Sequence, residues 1–167
     1  MLRSFVLTLL CAPALAAQQP RDSLIVNVGG RQQVLRAADI QALPHRTLAA
    51  SFGQGPQVYS GVPLLAVLMR AGLDTAQIQG RGLAQSLLIE AADGYRVAFG
   101  VADLDSVATG RTLLLADSLN HHALPANEAP WRLVVGGDKH ARRSVRMVAA
   151  VRVIAAPEGR GVAAPGP

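Results

Sequence analysis

A mixed, mainly-β α+β domain is the fold class the sequence predicts, and three observations carry that expectation. Short apolar stretches of strand length alternate with glycine-centred turns. Helical apolar spacing is clear in only one segment, beginning near Pro63. Half of the 167 residues are hydrophobic and 16% are charged, which suits one domain with a sizeable core. The same composition excludes a wholly disordered chain. No heptads, Gly-X-Y period or repeat of roughly 20–50 residues occurs, so fibres and solenoids are excluded as well. Lys139 is the only lysine among 16 basic residues, a skew that reads as genome composition rather than function.

Taken in order, residues 24–28 and 32–35 flank Gly29-Gly30 and read as a tight β-hairpin. Residues 38–43 suit a short helix, with Asp39 in its first turn and Pro44 closing it. Extended segments follow at 47–52 and 57–59, separated by Gly53, Gly55 and Pro56. Pro63 then opens the clear helix, Leu64, Leu65, Val67 and Leu68 form its apolar face, and Gly72 ends it. Asp93-Gly94 marks a second hairpin between strands at 86–91 and 95–99. A helical turn at 101–104 and a strand at 112–116 come next, then a polar loop at 118–130. Late strands at 132–135 and 147–154 are joined through residues 136–143.

The N-terminus reads as an export leader. Arg3 supplies a positive start, residues 5–10 are an apolar run continuing to Ala12, and Ala14-Leu15-Ala16 offers a signal-peptidase site. Removing 16 of 167 residues leaves 151, and loss of Arg3 lowers the net charge from +5 to +4. The expected organisation is a leader at 1–16, a domain at 24–155 and a disordered tail at 156–167. A periplasmic or secreted location follows. No later segment reaches about 18 consecutive apolar residues, so no membrane span is expected. Cys11, preceded by Leu10 where lipoprotein processing wants a small residue, belongs to the leader's apolar run. It is the only cysteine, so the mature chain would carry no disulfide, thiolate nucleophile or thiolate metal ligand.

Several candidate chemistries are weak. His121 and His122 are adjacent and diverge on an extended chain, so a solvated pair outweighs a metal site with His45 or His140. No Gly-x-Ser-x-Gly elbow supports a hydrolase, and Gly80-Arg81-Gly82 lacks the third glycine of a dinucleotide fingerprint. Asp103 and Asp105 are placed to cap a turn rather than to act as an acid–base pair. The basic run Lys139, His140, Arg142, Arg143 and Arg146, after Gly136-Gly137, is the stronger signal. Arginine forks and glycine-rich turns bind phosphate, although a solvated basic loop explains the run equally well. Export and few aromatics argue against nucleic acid as a partner. A phosphorylated or anionic small molecule, an anionic envelope surface and an acidic protein remain as candidates.

The motif order resembles the sulfite oxidase-type molybdopterin-binding oxidoreductase domain, from about residue 24 to 154. Tyr59-Ser60-Gly61-Val62-Pro63-Leu64, followed by an apolar helix ending in Ala71-Gly72-Leu73, is similar to that family's "GvPL…LL…aG" segment. Ala92-Asp93-Gly94-Tyr95 and Leu113-Leu114-Leu115-Ala116 match its middle strands. Asn127-Glu128-Ala129-Pro130-Trp131-Arg132-Leu133-Val134 resembles "NGAPLRLV", with Glu128 in place of a glycine. The resemblance implies a molybdopterin cofactor, with pterin and phosphate held by Asn127, Arg132, Ser144, Val145 and Arg146.

Departures accompany the resemblance. The family's molybdenum-ligating cysteine falls about a dozen residues before Gly-Val-Pro-Leu, where this chain has Leu48-Ala49-Ala50-Ser51-Phe52. A family threonine falls near Ala91, and no motif before residue 24 matches the longer pterin-contacting segment of bacterial members. The expectation is therefore an exported, non-catalytic ligand-binding or accessory module with a remnant pterin or phosphate pocket. Two alternatives stand beside it: a periplasmic oxidoreductase with a non-cysteine metal ligand such as Ser51 or with no protein ligand, and an interaction domain whose basic face meets an acidic partner.

Overall fold

The computed structural model describes residues 22–53 and 55–156. The expected leader, Cys11 and residues 157–167 of the expected tail lie outside them. Strand β1 (Ser23–Val28) and β2 (Arg31–Arg36) form the first hairpin, α1 (Ala37–Gln41) follows directly, and β3 (Arg46–Ala50) and β4 (Gln57–Pro63) pair antiparallel. Pro63 is the N-cap of α2 (Leu64–Arg70), and Gly72 takes the left-handed φ of 93° that a glycine after a helix end adopts.

Strands β5 (Ser86–Ala91) and β6 (Arg96–Gly100) flank the Asp93-Gly94 turn. The short helix α3 (Ser106–Thr109) is capped by Asp105, which accepts from the Val107 and Ala108 N–H groups. Asp103 accepts from the Gly100 N–H at 3.0 Å, so both aspartates serve the local turns. Strand β7 (Leu113–Leu119), β8 (His122–Ala123), β9 (Arg132–Val135) and β10 (Val148–Ile154) follow. The polar loop expected at 118–130 is partly strand. Asn120 and His121, both at positive φ, close a tight hairpin between β7 and β8. Asn and His both adopt that conformation more readily than most side chains, but without a glycine the pair is a weaker turn signal than Asp-Gly.

The described residues form two five-stranded sheets. One runs β2-β1-β10-β5-β6, with β1 and β10 parallel; the other runs β3-β4-β7-β8, with β9 also pairing β7. The main core holds Leu24, Val26, Leu64, Leu68, Leu87, Ile89, Leu115, Leu133 and Val151, all inaccessible to solvent. A smaller cluster of Ala50, Tyr59, Leu114, Ala116 and Val134 forms separately. The mainly-β α+β class is thus as the sequence predicts. Gly61 shows why "Gly-Val-Pro-Leu" needs its glycine: a Cβ there would lie 2.1 Å from the Leu115 carbonyl oxygen. That close approach accompanies a β-bulge between β4 and β7, which leaves Asp117 without a partner residue on β4.

Candidate functional site

A cleft of about 590 Å³ draws its lining from both sheets. Phe52, Gln57, Tyr59 and Leu119 come from the β3–β4–β7 side, and Ala91, Asp93 and Tyr95 from the β5–β6 hairpin. Pro125, Glu128 and Arg132 come from the segment leading into β9; Ala141, Ser144 and Arg146 come from the segment before β10. Backbone hydrogen bonds hold these pieces together. Met147, at a left-handed φ of 49°, donates its N–H to the Glu128 carbonyl at 3.0 Å and accepts from the Ala92 N–H at 2.9 Å.

Strand alternation decides which side chains reach the cleft. Val145 exchanges both backbone hydrogen bonds with Leu133, at 3.1 and 2.8 Å, so the segment 144–146 is locally extended. Neighbouring side chains on an extended segment point to opposite faces. Ser144 and Arg146 accordingly line the cleft, while Val145 is fully buried in the main core. Arg132 lines the cleft and Leu133 joins the core by the same rule.

Arg132 is buried. Its guanidinium carbon lies 5.3 Å from the Phe52 ring centroid and 5.2 Å from that of Tyr59. Nη1 donates to both carboxylate oxygens of Glu128, each at 2.7 Å. Arg132 Nε and the Ser144 hydroxyl are buried and have no hydrogen-bond partner among the described residues. Burial raises the Tyr59 phenol pKa above its ordinary value, with Arg132 lowering it and Glu128 raising it by charge. Its hydroxyl donates to Gln57 Oε1 at 2.9 Å.

Of the five residues marked by resemblance, the cleft takes Arg132, Ser144 and Arg146. Asn127 is exposed and outside the lining, and Val145 is in the core. The basic run divides. Arg143 is tied to Asp138, with Nε donating at 2.9 Å, and sits 5.6 Å from the Phe99 centroid. Hydrogen bonding to Asp138 raises its already high pKa. Lys139, His140 and Arg142 are exposed, and Gly136 packs against Leu48 and Thr112 rather than opening to the cleft. Arg146 is left in the cleft with no ion pair among the described residues.

Sequence reasoning missed Tyr59 and Gln57, although their spacing of two on a strand put them on one face. Asp93 was read as a turn residue and Tyr95 as the start of a strand, neither as part of a site, and Tyr95 donates its hydroxyl to the Arg142 carbonyl at 2.7 Å. Glu128 was visible as a motif departure, but its partner was not.

No family model matches the sequence, and no curated protein sequence matches it. A solved structure does: the sulfane dehydrogenase SoxCD from Paracoccus pantotrophus, at TM-score 0.58 and 20% identity. The match covers 83% of this chain and 40% of that one, so the chain spans less than half of SoxCD's matched chain. That likeness shows the fold.

The residues present fit an anionic group at Ser144 and Arg146, a buried hydroxyl and a cation that have, respectively, no hydrogen-bond partner and no ion pair among the described residues. They do not fit a thiolate-held metal. Ser51 is exposed and outside the cleft lining, and no group of three His, Cys, Asp or Glu side chains is placed to hold an ion among the described residues. His121 and His122 are exposed at the hairpin tip. His45 is committed elsewhere: Nε2 lies 2.8 Å from Asp117 Oδ2 and Nδ1 lies 2.9 Å from the Leu43 carbonyl.

Proposed function

We propose that the chain is a ligand-binding or accessory module that takes a small phosphorylated, pterin-like molecule in this cleft, without thiolate-ligated molybdenum redox chemistry. The observation that carries the reading is the Ser144 hydroxyl, 8% exposed by residue, unpartnered, and on the lining with Arg146. A buried hydroxyl without a partner costs stability unless a ligand satisfies it. Motif order and the fold likeness to a dehydrogenase support pterin as the ligand class. Phe52 and Tyr95 supply aromatic surface for a flat heterocycle. The N-terminal leader supports an exported protein, periplasmic or secreted.

Calorimetric titration with a pterin monophosphate tests the reading. Arg146→Gln and Ser144→Ala should each weaken binding roughly tenfold, the scale of one hydrogen bond to a charged group. Unchanged affinity in both variants sinks the pocket. Molybdenum and pterin content per chain, on protein exported from a host that makes the cofactor, separates the alternatives. One of each with substrate-dependent electron transfer establishes an oxidoreductase instead; neither, with salt-sensitive capture of an acidic partner, favours an interaction domain.

A further inference from the structure

Glu128 stands where the resembled motif has a glycine, and its carboxylate meets the one buried arginine of the cleft. Both partners are well shielded, with side-chain exposures of 9% for Arg132 and 14% for Glu128. The geometry is informative. A guanidinium usually meets a carboxylate or phosphate as a fork of two parallel hydrogen bonds. Here one nitrogen serves both oxygens, and the buried Nε remains without a partner. Glu128 is also anchored: its N–H donates to the Pro125 carbonyl at 2.8 Å and its own carbonyl accepts from Met147. A carboxylate tethered four residues from Arg132 reaches it at an effective concentration that a dilute external anion does not match.

We infer that Glu128 is the specificity-determining residue of the cleft: it neutralises Arg132 from within and leaves Ser144 and Arg146 to meet a ligand's anionic group. This rests on the cleft being a ligand site. Exclusion works by repulsion as well as by occupancy, since an anion approaching Arg132 would face the Glu128 charge. The ligand class that follows carries one anionic group and a neutral polar or hydrogen-bond-donating edge for Glu128. A ligand carrying a second anionic group is rejected.

Inorganic phosphate is the probe. Folded Glu128→Gln should bind phosphate at least tenfold more tightly than wild type by calorimetry, and adding Arg132→Gln should erase the gain. Phosphate affinity within twofold of wild type in folded Glu128→Gln overturns the inference, as does a gain that survives Arg132→Gln. If Glu128→Gln does not fold alone, phosphate should restore folding to Glu128→Gly by replacing the missing carboxylate; failure of phosphate to raise the Tm of that variant also overturns it. The ligand-site reading is judged apart, by Arg146→Gln against the pterin monophosphate. Loss there with no gain in Glu128→Gln keeps the site and discards the role of Glu128.

Discussion

The two sheets handle their faces differently. In the first sheet, β1 alternates half-buried and buried residues over six positions, and β5 nearly repeats that pattern. One face packs into the core and the other meets water, as alternating strands do. The second sheet is covered on both sides at its centre, and the first four residues of β7 and all four of β9 are buried. Leu113, Leu115, Leu133 and Val135 join the main core; Leu114, Ala116 and Val134 join the small cluster with Tyr59. The cleft adjoins that small cluster. A face covered by a few side chains leaves room for Arg132, Glu128 and Gln57 at its margin, whereas the fully packed core face has none.

Adjacent leucines on β7 offer the largest test of that contrast. Leu115→Ala, on the main-core face, should cost about 4 kcal/mol in denaturant unfolding, and Leu114→Ala about 2 kcal/mol, because a small cluster beside a cleft collapses more readily. Equal losses would mean that the cleft side is packed as firmly as the core. A smaller effect separates two arginines three residues apart. Arg143→Gln should cost about 1 kcal/mol by losing Asp138. Arg146→Gln should change stability by less than about 0.5 kcal/mol while weakening ligand binding. The reverse pattern would move the ligand site away from the cleft.

The smallest effect is a pH dependence at the bulge. Hydrogen bonding to Asp117 raises the His45 pKa above its ordinary value of 6.5; desolvation opposes this, and the Leu43 carbonyl adds to it. A raised folded-state pKa means that the protonated pair stabilises fully below the unfolded value and loses its contribution as pH rises through the folded one. Thermal stability should therefore fall slightly from just below pH 6.5 upward, and His45→Gln should flatten that slope. An unchanged slope in the variant would assign the dependence elsewhere.

Much of the fold was legible because local rules decided it. Gly29-Gly30, Asp93-Gly94 and Pro63 each impose a backbone geometry, and the hairpins and α2 lie where those residues predict. The continuous run Leu113-Leu114-Leu115-Ala116 read as a strand, and the structure buries it on both faces. The β7–β8 hairpin was not legible, since Asn120-His121 is a weak turn signal. Ser144 and Arg146 could be marked by motif order, yet nothing local separated Arg143, held by Asp138, from Arg146, which faces the cleft.

Composition and patterning by themselves determined a mainly-β domain with two hairpins, one clear helix and no cysteine after residue 11. Only the tertiary structure decided that two sheets bring Phe52, Gln57 and Tyr59 together with residues from 91–95, 125–132 and 141–146 around one cleft, and that the cleft's buried arginine is met by the chain's own glutamate. Turns and strands follow from φ, ψ and side-chain shape within a few residues. Charge pairing across a cleft depends on which strands become neighbours, and the burial of distant apolar residues settles that.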